Sequence, residues 1–309
     1  MGGSGPTVRV VDDGEFAEVV AFLDTTEDEA GVPLVDEAER HRLVAASRDP
    51  SAAPDRWWQR VAERDGRIVG YVGELDGVGD LAVTGGQHRS AVIAALAEAV
   101  TDRVRQLWMR RVLPADRAVV EGCGFVVRRR LGVLGRRLGT PGGGAGVATE
   151  EGRSNDPGGA PDRDLAGVAI RGYRPGDDDE AVVEVLASAY AGTDDGGWDL
   201  ATFRERRGLS WFRDEDLLVG LVDGEIRGLH WLKRRGDATG EVYNLAIHPD
   251  GQGRGLGAAL LRAGLTHLAT VGCTEVVLWV DLDNERAVSL YTAHGFTTRW
   301  EDVAFAPAA

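Results

Sequence analysis

The sequence predicts an α/β protein of two tandem domains, each a mixed sheet flanked by helices. Three observations predict it. First, the chain repeats itself: Asp65-Gly-Arg-Ile-Val-Gly-Tyr71 matches Asp223-Gly-Glu-Ile-Arg-Gly-Leu229, and Gln87-His-Arg-Ser-Ala-Val-Ile-Ala-Ala-Leu96 matches Gln252-Gly-Arg-Gly-Leu-Gly-Ala-Ala-Leu260. Asp116-Arg-Ala-Val119 with Gly124-Phe125 likewise matches Glu285-Arg-Ala-Val288 with Gly295-Phe296, so one structural unit occurs twice. Second, residues 139–167 are Gly, Pro, Ser, Asp and Glu with almost no large apolar side chain. Such a block cannot bury a core and reads as a flexible linker between domains at 7–138 and 168–309. Third, Leu245-Ala-Ile247 breaks into a glycine-rich loop and then an apolar-periodic segment, the signature of a strand, a loop and a helix start.

Each element follows from its local pattern. Thr7 to Val11 alternates as a strand, and Asp12 or Asp13 can cap a helix carrying Phe16, Val19, Val20 and Leu23 at helical spacing. A second helix starts near Asp36 or Glu37 and turns Leu43 and Val44 inward. Val61 to Val72 is a hairpin around Asp65-Gly66, a dipeptide suited to the strand-matching turn. Leu81 to Thr84 is a strand leading through Gly85-Gly86 to a helix with Ile93, Leu96, Ala97 and Val100. A strand at Gln106 to Arg110, a helix at Ala115 to Glu121 and an arginine-rich strand close the first half.

The second half restarts with a strand at Val168 to Tyr173 and a helix carrying Val182, Val183, Val185 and Leu186, followed by Gly196-Gly-Trp198 and a short helix. Leu217 to Trp231 is a hairpin around Asp223-Gly224. Then come a strand from Glu241, the glycine-rich corner with its helix, a strand at Val276 to Val280, and a helix ending in Leu290-Tyr291.

Composition bounds the function. A chain of 309 residues suits two domains of about 150 residues each. A net charge of -15 argues against nucleic acid, whose phosphates demand clustered basic surface, and favours amines or basic peptides as partners. No apolar run is long enough to cross a bilayer, and Met1 to Pro6 lacks the basic and apolar regions of a signal peptide. A cytoplasmic protein without membrane contact is expected, with a monomer as the expected state. Cys123 and Cys273 have no Cys or His at ligand spacing, so both read as small core residues and no metal is expected. Lys233 is the only lysine among 35 basic residues.

The glycine-rich corner at Gln252, Gly253, Arg254, Gly255, Leu256, Gly257 and Ala258 brings backbone close to a ligand and aims a helix N-terminus at it. That combination binds anions, above all a pyrophosphate. The first repeat has Ser90 and Val92 where the second has Gly255 and Gly257. A side chain there narrows the approach of a phosphate, so the second half is expected to hold the working site.

The order strand, Gln-Gly-Arg-Gly-Leu-Gly-Ala, helix, strand, Asp283-Asn284, helix, Leu290-Tyr291, Gly295-Phe296 resembles the acyl-CoA site of the GNAT (acyl-CoA N-acyltransferase) family, in tandem over the whole chain. More narrowly, Gly196-Gly-Trp198, Gly228-Leu-His-Trp-Leu-Lys233, Gly240-Glu-Val-Tyr243 and Asn284 to Phe296 are similar to the mycothiol synthase family. That family transfers acetyl from acetyl-CoA to the cysteinyl amine of cysteinyl-glucosaminyl-inositol, the last step of mycothiol synthesis in actinobacteria. The preference for Arg over Lys fits a GC-rich host of that kind.

The resemblance implies roles. Leu245, Ala246 and Ile247 would offer strand backbone to acetyl-CoA, Gln252 to Ala258 its pyrophosphate cradle, and Asn284, Glu285, Arg286, Ala287, Val288 and Ser289 further contacts. A free amine titrates near about 8, so a carboxylate can take its proton directly or through water. Glu241 is expected in that role, on a strand whose residues 241, 243, 245 and 247 should share a face by the period of two. Tyr291 matches the family's general acid, for which the first repeat has Val120. Glu37, Asp194, Lys233, Glu241 and Trp279 are the implied acceptor contacts. Asp194 and Trp279 depart from the family's Glu and Tyr. Without the resemblance, Glu37 serves a helix dipole and Glu241 is a charged strand end. Two other functions remain open at this point: acetylation of another small amine or a peptide N-terminus, and acyl-CoA binding without turnover.

Overall fold

The computed structural model describes residues 5–139, 167–193, 196–236 and 238–308. Residues 140–166 of the expected linker, and Asp194, lie outside the described residues. The chain forms two compact units. One comprises Met1–Val133, Val280–Asn284 and Thr298–Ala309; the other comprises Leu134–Trp279 and Glu285–Thr297.

The first unit contains β1 (Thr7–Val10), α1 (Phe16–Ala30), α2 (Glu37–Arg48), β2 (Trp58–Arg64), β3 (Arg67–Leu75), β4 (Val78–Val83), α3 (Arg89–Val100), β5 (Gln106–Met109) and α4 (Pro114–Gly122). Strands β1 to β4 pair antiparallel in order, and β4 pairs parallel with β5. The outer edge of β5 is closed by the last strand of the chain, with Val303 opposite Met109 and Phe305 opposite Leu107. The grouping of the last strand with the first unit thus departs from chain order. Its physical reason is burial: Val303 and Phe305 are fully enclosed with Leu96, Leu107 and Phe125, which covers apolar surface and satisfies an open strand edge at once. On the other face of the sheet, α1 and α2 bury Phe16, Val19, Leu23 and Leu43.

Helix α1 starts after Glu15, not after Asp12 or Asp13, because the Glu15 carboxylate is held by Arg9 at 2.7 Å and by the Asp12 N–H at 2.9 Å. Helix α2 starts where expected, capped by Asp36, whose side chain accepts the Glu39 N–H at 2.5 Å. Val20 and Val44 are half-buried at the margins of this packing. Both expected hairpins close on Asp-Gly with positive φ at both positions: 51° and 72° at Asp65-Gly66, 52° and 90° at Asp223-Gly224.

The second unit contains β7 (Val168–Gly172), α5 (Asp179–Ala189), α6 (Leu200–Arg207), β8 (Leu217–Val222), β9 (Glu225–Arg235), β10 (Thr239–Ile247), α7 (Leu256–Thr270), most of β11 (Glu275–Asp281) and α8 (Glu285–Ala293). Before β7 runs β6 (Phe125–Arg137), and after α8 runs β12 (Thr297–Pro307). Strands β7 to β10 are antiparallel and β10 to β11 is parallel. Helix α7 covers one face of this sheet with Leu256 and Leu260. Helices α5 and α6 cover the other through Val182, Leu186 and Phe203.

Helix α7 is seated by a close approach. His230, fully buried on β9, donates Nδ1–H to the Leu260 carbonyl at 2.8 Å, and burial pushes its pKa down to about 4. A Cβ on Gly264 would stand 2.2 Å from that imidazole. Gly264→Ala is therefore expected to destabilise the protein by about 1–3 kcal/mol through overpacking, outweighing the roughly 1 kcal/mol helix preference of Ala over Gly. Denaturant unfolding checks this; a variant more stable than the wild type would refute the contact. Among the described residues no helix is long and apolar enough to cross a membrane.

Candidate active site

The glycine-rich corner takes the expected form. β10 ends at Ile247, a short 3-10 turn covers Pro249–Gly251, and α7 begins at Leu256 behind Gly255. Gly253 and Gly255 have φ of 78° and 76°, a conformation strained for any residue with a Cβ. Gly255 is the N-cap and no side chain caps α7. Gln252, Gly253, Arg254 and Gly255 are exposed, while Leu256 is buried under the corner. A Cβ on Gly257 would meet Ile247 and Leu290 only at 3.6 Å or more, so the protein itself does not require glycine there. Arg286 in the first turn of α8 donates to Gln252 Oε1 at 2.6 Å, tying the two predicted cofactor segments together. Glu285, Arg286 and Ser289 are exposed and Ala287 and Val288 half-buried.

The strand feeding the corner is not regular. β10 pairs with β9 from Thr239 opposite Arg235 to Val242 opposite Leu232, then resumes with Asn244 opposite Trp231. Tyr243 is the extra residue of a bulge, which changes the direction of every later side chain. The expectation that residues 241, 243, 245 and 247 share one face is corrected by this bulge. Leu245 and Ile247 pack with Leu256 and Leu260 on the α7 side, whereas Ala246 joins Trp231 on the opposite side. Pairing of β10 with β11 runs only from Thr239 opposite Glu275 to Val242 opposite Leu278. Past the bulge the two strands part, and the β11-facing backbone of Asn244 to Ile247 is left without that neighbour.

Glu241 lies just before this parting. It is 6% exposed, and Lys233 stands directly opposite it on β9, which puts both side chains on one face. Arg235 donates Nε–H to Glu241 Oε2, and the same guanidinium lies 4.8 Å from the Trp279 ring. Lys233 Nζ lies 4.6 Å from the centre of the Trp211 ring and 6.0 Å from that of Tyr243. Lys233, Glu241 and Trp279 are thus brought together by one sheet face and by Arg235, a residue the sequence reading passed over. Its spacing of two from Lys233 was the available signal.

Tyr291 is 7% exposed on α8 and packs edge-on against Phe296, with centroids 5.6 Å apart. Burial, with the nearby Tyr190 hydroxyl, pushes its phenol well above the usual value, so it stays protonated. Tyr190 in turn donates to Asn244 Oδ1 at 3.0 Å. Tyr190 and Asn244, also unforeseen, link the acid candidate to the bulged stretch of β10.

Glu37 belongs to the first unit. It is the exposed first residue of α2, where its carboxylate suits the helix dipole. Asn284 closes the turn before α8, its N–H on the Asp281 carbonyl at 3.0 Å, and is grouped with the first unit. Asp194 is outside the described residues.

The first unit supplies an internal comparison. Its β4 pairs with β3 in unbroken register from Val78 to Val83, with no bulge. Gly79-Asp80 on β4 stands where β10 has Gly240-Glu241. Asp80 is buried, and desolvation pushes its carboxyl up to about 7. Val120 is fully buried where the second unit has Tyr291. Arg89, at the place of Arg254, turns inward: it donates to the Val83 and Thr84 carbonyls at 3.0 and 3.2 Å and grips Asp116 at 3.0 Å. Arg254 instead pairs with Asp223 on the surface. The end of β4 is filled by the protein's own guanidinium.

Residues 181–296 match the model of the acetyltransferase (GNAT) family. The chain is 33% identical to a mycothiol acetyltransferase of Geodermatophilus obscurus over 98% of both chains. It is 34% identical to the mycothiol acetyltransferase of Actinosynnema mirum, covering 96% of this chain and 97% of the relative. Among solved structures, a GCN5-related N-acetyltransferase from Sphaerobacter thermophilus superimposes with a TM-score of 0.61 at 18% identity, over 98% of this chain and 97% of that one. A tandem GNAT protein from the clavulanic acid biosynthesis pathway superimposes with a TM-score of 0.58 at 17% identity, over 97% of both chains.

Proposed function

The chain belongs to the mycothiol acetyltransferase family, and from that premise we propose that it acetylates the cysteinyl amine of cysteinyl-glucosaminyl-inositol, with Glu241 and Tyr291 as its catalytic pair. It is an acetyl-CoA-dependent N-acetyltransferase of the GNAT fold. The observation that carries the site assignment is the bulge of β10: it separates β10 from β11 beside Glu241 and opens strand backbone next to the glycine corner.

The residues present fit acetyl-CoA. An uncapped helix N-terminus and two glycines at positive φ suit a pyrophosphate. The unpaired edge of Asn244 to Ile247 suits the amides of the pantetheine arm, which can add to it as a strand adds to a sheet edge. The space a side chain at Gly257 would take is likewise left open. The bound donor supplies a thioester carbonyl. Glu241 receives the amine's proton directly or through a water. Its partner Arg235 fixes the carboxylate in one orientation. The neutral amine nitrogen then bonds to the carbonyl carbon, the carbon–sulfur bond breaks, Tyr291 gives its proton to the leaving sulfur, and the nitrogen, cationic after attack, loses its second proton to solvent to leave the neutral amide. Solvent reprotonates Tyr291 and deprotonates Glu241 for the next turnover. Lys233 and Trp279, on the same face, hold the acceptor.

Incubation with acetyl-CoA and the cysteinyl pseudo-disaccharide, read by mass spectrometry, should add one acetyl group to the amine. Turnover of another amine with no product from this acceptor would overturn the acceptor assignment and leave the fold intact.

The first unit is proposed to be non-catalytic. Arg89 and Asp116 occupy the strand end that corresponds to the pantetheine edge, and Val120 replaces the acid. Calorimetric titration with acetyl-CoA should therefore give one site per chain; two sites of comparable affinity would refute this reading.

A further inference from the structure

We infer that Trp211 is a specificity-determining residue: its indole face is the platform on which a ring of the acceptor stacks. The inference rests on the acceptor proposed above and concerns how the rings, rather than the reacting amine, are recognised.

Five aromatic side chains surround Trp231 on the Glu241 side of the sheet: Trp198, Phe203, Trp211, Phe212 and Tyr243, at centroid distances from 5.2 to 6.2 Å. Trp231 and Phe203 are fully buried and form the floor. Trp211 is half-buried, as are Trp198, Phe212 and Tyr243, but its ring lies nearer the Lys233 ammonium than that of Tyr243 does. It sits in the turn after α6 and leans on Tyr243 at 4.8 Å. Its ring meets the ammonium of Lys233, the residue opposite Glu241. Arg206, exposed on α6, reaches the Tyr243 hydroxyl at 3.4 Å. One half-buried indole thus meets Lys233 directly and is joined to a second cation, Arg206, through Tyr243, on the face that carries the proposed base.

That arrangement matches the chemistry of a polyhydroxylated ring. A pyranose or cyclitol has an apolar C–H face and a perimeter of hydroxyls. The face needs a flat, polarisable partner and the perimeter needs donors. Trp211 offers the first, Lys233 and Arg206 the second. In the structure Lys233 rests on the indole face, held by a cation–π attraction weak enough for the ammonium to exchange the ring for substrate hydroxyls.

The test uses the full chain, acetyl-CoA and two acceptors: cysteinyl-glucosaminyl-inositol, and cysteinamide, which keeps the amine and thiol and lacks both rings. Trp211→Leu preserves apolar volume and removes the aromatic face; Trp211→Phe preserves a face. Trp211→Leu should raise KM for the ring-bearing acceptor about tenfold relative to KM for acetyl-CoA, and lower its kcat/KM relative to cysteinamide by a similar factor. Trp211→Phe should stay within about threefold of the wild type on both measures. Equal losses on both acceptors in Trp211→Leu, or no loss on either, would overturn the inference, because either result leaves the ring preference unmoved. A wild-type protein that fails to acetylate the ring-bearing acceptor at all would overturn the proposed function instead.

Discussion

Replacing Tyr291 by Phe should lower kcat by about a hundredfold to a thousandfold while leaving the dissociation constant of acetyl-CoA within about threefold. The two effects separate because only one atom is removed. The ring still packs edge-on against Phe296 and remains buried on α8, so the fold and the glycine corner keep their shape. What disappears is the hydroxyl that protects the departing sulfur. Burial holds this phenol protonated far beyond neutral pH, so the donor is loaded under all working conditions and its deprotonation should not shape the pH profile. A thiol titrates near about 8.5, which makes complete transfer from so weak an acid costly before the carbon–sulfur bond breaks. The proton therefore moves late, as negative charge gathers on sulfur. A donor with a more acidic leaving thiol needs that help less, and the loss in Tyr291→Phe should shrink with it. Stopped-flow or steady-state turnover with two thioesters measures this. An unchanged kcat with acetyl-CoA would remove Tyr291 from the mechanism.

The same site shows what a sequence can and cannot disclose. The glycine corner was legible because its constraint is local: φ near +77° at Gly253 and Gly255 has to be met by those residues themselves, whatever else the chain does. Both Asp-Gly turns were legible for the same reason. The repeat disclosed that Tyr291 corresponds to Val120, since helix register survives between copies. The bulge at Tyr243 was not legible. A bulge is one residue of mismatch against a partner strand, and nothing in Glu241 to Ile247 alone says where β9 will fall out of step. Every side-chain direction after it was accordingly misjudged, and with it the neighbourhood of Asn244 and Tyr190. Arg89 carried no signal either, because an arginine turned inward and one turned outward read alike until Asp116 and the Val83 carbonyl are in place. The last strand is the largest case: Val303 and Phe305 alternate as any strand does, and only the open edge of β5 decides where they pair.

Glu241→Gln should reduce kcat/KM for the acceptor by about a hundredfold or more at pH 7, and the deficit should narrow as pH rises. The amide is nearly isosteric with the carboxylate and its oxygen can still accept from Arg235, so the sheet face carrying Lys233 and Trp279 is expected to persist. The loss is then one of proton removal. At pH 7 most of an amine titrating near about 8 is an ammonium without a lone pair, and the enzyme must deprotonate it. Above about pH 9 solvent does so unaided, and a variant lacking the base recovers toward the wild type. That convergence distinguishes a base from a residue that merely binds the acceptor, whose loss would cost the same factor at every pH. It also distinguishes Glu241 from Arg235. Losing the guanidinium frees the carboxylate to turn away from the amine but leaves a base in place, so Arg235→Gln should cost less than Glu241→Gln at pH 7. A pH profile of kcat/KM for the wild type and both variants decides the matter. A constant deficit across pH in Glu241→Gln would reassign Glu241 from proton transfer to acceptor binding, and would return the search for a base to the neighbouring face of β10.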